Sequence, residues 1–126
     1  MKKLFDNRRG FTLVEVLIVM TIIAIMASLA VPYVHKQIKR SKEAALLQNL
    51  FTVRDAIDQY YADRGQYPPN LQALAQERYI RSVPKDPLTD SYNTWALVPA
   101  PEGMGIYDIH SGGEGAGSDG KPYREW

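Results

Sequence analysis

The chain has 126 residues, which allows one small domain and an appended segment. Fifteen basic side chains meet 14 acidic ones for a net charge of +1, which excludes a strongly basic nucleic-acid binder. With no cysteine there is no disulfide framework, zinc finger, thiol nucleophile or iron–sulfur site, and the two histidines, His35 and His110, lie too far apart in sequence for a multi-histidine metal centre.

The first ten residues, MKKLFDNRRG, carry Lys2, Lys3, Arg8 and Arg9 against Asp6, a local charge of +3 that leaves −2 on the remainder. An apolar run of 24 residues follows, from Phe11 to Val34, with Glu15 its one charged side chain. As a helix this run spans about 36 Å, enough to cross a hydrocarbon core. One reading is a secretory signal peptide cut after Ala30, where Ser28 and Ala30 are small residues suited to cleavage. Against it, the apolar run continues to Val34, and a carboxylate near its start gives a signal peptide nothing. A charge in the middle of a bilayer costs on the order of 3 kcal/mol on insertion scales, and less near an end. Glu15 therefore either snorkels to the interface or needs a positive partner. A cut after Gly10 would free the α-amine of Phe11, four residues from Glu15 on one helix face. The two could pair within a helix or between neighbouring chains.

The segment Arg9-Gly10-Phe11-Thr12-Leu13-Val14-Glu15 resembles the processing motif of type IV pilins and type II secretion pseudopilins. The resemblance implies that a prepilin peptidase cuts after Gly10 and N-methylates Phe11, and that Glu15 is required for incorporation into a filament. It further implies a leader over residues 1–10 on the cytoplasmic side and an assembly helix over 11–34 in the inner membrane. Residues 35–126 would then form a periplasmic domain. Basic residues flank the run on both sides, so charge alone leaves the orientation open.

Beyond the run, Leu46, Leu47, Leu50, Phe51, Val53, Ile57, Tyr60 and Tyr61 recur at helical spacing, with Lys42, Glu43, Gln48, Asn49, Arg54 and Asp55 assigned to the polar face. A single helix over 11–63, ended by Gly65, is predicted. Pro32 lies inside it and removes one backbone hydrogen bond. The resemblance implies that the segment before the proline, Ala24 to Val31, extends in the assembled filament.

Asn70 predicts the cap of a short helix from Leu71 to about Arg78. Tyr92–Val98 and Gly105–Ile109 have strand composition, joined by a turn over 99–103. The expected fold class is α+β: a long N-terminal helix, apolar in its first half, packed in its second half on a small antiparallel sheet. Asp63-Arg64-Gly65-Gln66-Tyr67-Pro68 and the Pro84–Pro87 loop resemble the major pseudopilin of type II secretion more than a pilus pilin.

His110 to Gly120 has five glycines in eleven residues, which fits neither a helix nor a packed strand. Glu114, Asp119, Ser111 and Ser118 supply oxygens of the kind calcium prefers. The resemblance implies a calcium site in this loop, although the loop is shorter than the family's and has only two carboxylates. A plain glycine-rich loop is the alternative. Asp108 and His110 share one side of a strand, but with no nucleophile and base they suit a hydrogen-bonded structural pair better than catalysis.

The expected function is a structural, non-enzymatic subunit of a type II secretion pseudopilus. It polymerises with copies of itself, together with minor pseudopilins and an inner-membrane secretion platform. The alternatives are a pilus or competence pilin, and a secreted calcium-binding module.

Overall fold

The computed structural model describes residues 10–126. The expected leader therefore lies outside the described residues except for Gly10. The chain divides into two compact units, one ending at Ile38 and the other comprising Lys39–Trp126.

Helix α1 runs over Leu13–Arg64 and contains Pro32. Thr12 caps it: the Thr12 Oγ1 accepts from the Glu15 N–H at 3.1 Å, and a Glu15 carboxylate oxygen accepts from the Thr12 N–H at 3.1 Å. This reciprocal pair satisfies two of the otherwise orphaned N–H groups at the helix start. Pro32 has no N–H to offer the Ser28 carbonyl, yet the helix continues through it. Gly65 ends it, with its N–H donating to the Tyr61 carbonyl at 2.7 Å.

In the second unit the core gathers on one row of α1. Leu46, Leu50, Val53 and Ile57 are buried there with Ala56. The expected stripe was too wide: Leu47, Phe51 and Tyr61 are exposed, at 54%, 68% and 46%. The polar face was also misjudged, because Glu43 is buried and Arg54 half-buried. The buried positions step by three and four residues, so Leu47 and Phe51, one position beyond Leu46 and Leu50, turn about 100° away from the core.

Helix α2 spans Leu71–Gln76, and the Asn70 Oδ1 accepts from the Ala73 N–H at 2.8 Å as its cap. It stops short of Arg78, which adopts φ 65°, a left-handed conformation that a helix cannot continue through. Strands β1 (Ala96–Pro99) and β2 (Ile106–His110) pair antiparallel. The first is shorter than expected, and just before it the Trp95 indole N–H donates to the Pro84 carbonyl at 2.8 Å. A register shift between Val98 and Pro99 inserts Tyr107 as an extra residue in β2. Ile106 and Ile109 are both buried although three apart, a spacing that regular alternation would forbid. A short 3₁₀ turn, Tyr123–Glu125, closes the chain. The buried Tyr123 ring meets Trp126 edge-on at 5.3 Å.

Candidate functional site

From Phe11 to Val34 nearly every large side chain is apolar and exposed, Phe11 at 83% and Leu29 at 73% among them. An 18-residue stretch of α1 is strongly apolar, with none of it buried. This is a helix long and apolar enough to cross a membrane. Glu15 sits at its start, and its hydrogen bond to the Thr12 N–H directs the carboxylate back toward Phe11. Gly10 is exposed and offers no side chain at the bond that precedes Phe11.

Around the glycine-rich loop, two buried carboxylates act as acceptors. Glu43 receives the Ser118 N–H at 3.0 Å, the Ser118 hydroxyl at 2.7 Å and the Tyr123 hydroxyl at 2.9 Å. Asp86, fully buried, receives the Leu88 N–H at 2.9 Å, the Ser111 hydroxyl at 2.8 Å and the Gly112 N–H at 3.1 Å. Burial pushes the Glu43 carboxyl up. The donors from Ser118 and Tyr123, with Lys39 nearby, outweigh this and hold it below its usual value. Burial and the Glu43 carboxylate push the Tyr123 hydroxyl up to about 12.

The signs follow from linkage. Glu43 contributes stability above its unfolded value of 4.5, and this is lost as pH falls through its lower folded value. Above pH 10 the unfolded chain releases the Tyr123 proton, while the folded one keeps it to about 12, so stability declines across that interval. Melting curves over pH are expected to show both flanks, and in Tyr123→Phe the alkaline decline should be shallower.

Asp108 and His110 do not form an isolated pair. The Arg54 Nε donates to Asp108 at 2.7 Å, and its Nη2 donates to the Ile109 and Trp126 main-chain oxygens at 2.9 and 2.6 Å. The His110 Nδ1 lies 2.9 Å from the Trp126 oxygen and 3.5 Å from the Arg54 Nη2. The His110 Nε2 is 3.9 Å from Asp108. The group ties β2 and the tail to α1, with Arg54 as its hub.

Three of the four residues expected to hold calcium have hydrogen-bond partners within the chain. Ser111 and Ser118 give their hydroxyl protons to Asp86 and Glu43, and one Asp119 oxygen accepts from the Lys121 N–H at 3.0 Å. Glu114 is exposed. Among the described residues there is no group of three or more His, Cys, Asp or Glu placed to hold a metal ion. Glu43, Asp86 and Arg54 escaped the sequence reading. For Glu43 a signal existed, since it lies three residues before Leu46 on the row that becomes the core.

The family described as "Prokaryotic N-terminal methylation motif" matches residues 5–31. The chain is 31% identical to type II secretion system core protein G of Escherichia coli K12, over 92% of this chain and 86% of that protein. It is 30% identical to the protein of the same name from Vibrio cholerae, over 94% and 93%. Against that of Pseudomonas aeruginosa it is 28% identical over 90% of each. No solved structure matches. The N-terminal motif, the exposed apolar helix and this similarity along most of the chain agree, and the chain belongs to the type II secretion system core protein G family, as a pseudopilin subunit.

Proposed function

We propose that this pseudopilin polymerises through its N-terminal helix into a periplasmic filament that supports protein export across the outer membrane. A prepilin peptidase cuts after Gly10 and methylates Phe11. Before assembly, residues 11–34 hold the subunit in the inner membrane as a single span with the C-terminal unit in the periplasm. In the filament these helices pack together, and the apolar surface that lipid covered is covered by neighbouring copies. Ala24 to Val31, adjoining the missing hydrogen bond at Pro32, is the segment that extends. The subunit is structural rather than catalytic. Minor pseudopilins and an inner-membrane platform are its other partners.

The observation that carries this reading is an apolar face with a single carboxylate at its head and no burial within the subunit. Such a surface needs lipid or copies of itself. Mass spectrometry of the purified native protein tests it. A mature chain beginning at methylated Phe11 is expected, whereas a chain beginning at Val31 would replace it with a secreted module that never polymerises by this helix.

A further inference from the structure

We propose that the C-terminal glycine-rich loop is latched by two buried carboxylates of the chain itself, Glu43 and Asp86, and needs no divalent cation to hold it. A cation site presents lone pairs inward. This loop does the reverse: the Ser118 N–H and hydroxyl point at Glu43, and the Ser111 hydroxyl and Gly112 N–H point at Asp86. The polarity suits an anion at each centre, and the protein supplies both anions.

Two of the loop's carbonyls already accept hydrogen bonds. The Gly115 oxygen accepts from the Tyr123 N–H at 3.1 Å, and the Gly117 oxygen accepts from the Gly120 N–H at 3.0 Å. Packing also accounts for glycine at key positions. A Cβ at Gly112 would overlap the Thr94 carbonyl, and one at Gly117 would overlap the Trp126 indole. At these two positions glycine lets the chain pass close to its neighbours, a reason that involves no ion.

The latch reaches far along the chain. Glu43 and Ser118 are 75 residues apart, and Glu43 and Tyr123 are 80 apart. Like a metal or a disulfide, it closes a long loop and fastens the tail to α1. Each carboxylate accepts from three donors. No buried side-chain polar atom among the described residues lacks a partner. The inference is independent of whether the subunit polymerises.

The test uses the full chain in detergent micelles. Its melting temperature is measured with millimolar calcium chloride and with excess EGTA, for the wild type and for Glu43→Ala, Glu43→Gln and Tyr123→Phe. Hydrogen exchange at the Ser118 amide is followed in parallel. The wild type should melt at the same temperature in calcium and in EGTA. Glu43→Ala should melt about 10 °C lower, or fail to fold, and Tyr123→Phe about 5 °C lower. The Ser118 amide should exchange roughly tenfold faster in Glu43→Gln, where a charge-assisted acceptor becomes a neutral one. A saturable calcium-dependent rise in the wild-type melting temperature overturns the proposal. So does Ser118 exchange that is unaltered in both Glu43→Gln and Tyr123→Phe, a result readable even if Glu43→Ala does not fold.

Discussion

Glu15→Ala is expected to abolish filament formation while leaving leader removal intact. Polymerisation is read by electron microscopy or shearing of cells, and cleavage by the mass of the mature chain. The carboxylate stands at the head of 24 otherwise uncharged residues, and in a bilayer or a filament core the medium around it would be of low dielectric. A lone charge is costly there, and a positive partner recovers much of that cost. Under the proposed cleavage, the positive N-terminal amine of Phe11 on an adjoining subunit would be such a partner, and alanine would leave that amine unmatched. The structure adds a second role for Glu15, because its carboxylate completes the helix cap with Thr12. Loss of that cap would weaken the helix start by about 1 kcal/mol, too little to abolish an assembly held by many contacts. Glu15→Gln separates the two roles. Glutamine serves in a capping box as glutamate does but carries no charge. If Glu15→Gln polymerises like the wild type, the charge pair is not what assembly requires.

Leu46→Ala and Leu47→Ala should differ sharply although they are neighbours of identical chemistry. Leu46 is 0% exposed and lies in the central cluster, whereas Leu47 is 54% exposed. Truncating the first opens a cavity and should cost about 2–5 kcal/mol. The second should stay within about 0.5 kcal/mol for a subunit in solution. Denaturant titration of the detergent-solubilised protein measures both. Equal losses would mean that the buried row of α1 is misplaced by one residue.

The same pair shows how far a linear reading reaches. Helical periodicity located the amphipathic half of α1 and found Leu46, Leu50, Val53 and Ile57. It could not separate them from Leu47 and Phe51, which are equally apolar and one step round the helix. What divides them is the width of the surface laid against α1, and residues 71–126 supply that surface. The cap at Asn70 and the turn after β1 were legible because their causes are local. The early stop of α2 and the extra residue at Tyr107 were not, since neither carries a distinctive residue type.

The apolar helix that follows Gly10 was legible in the sequence. Gly10, Phe11 and Glu15 sit before and within a long apolar run, and solvent chemistry alone dictates what such a run must do. The sequence by itself therefore determined the membrane-competent helix, its lone carboxylate, the family and the α+β class, because each rests on residues close in the chain or on their sheer apolarity. Only the tertiary structure decided what Glu43, Asp86 and Arg54 do. Apart from the Leu88 N–H beside Asp86, their partners lie 25 to 80 residues away, and a carboxylate in a list of residues looks the same whether it faces water or three hydrogen-bond donors.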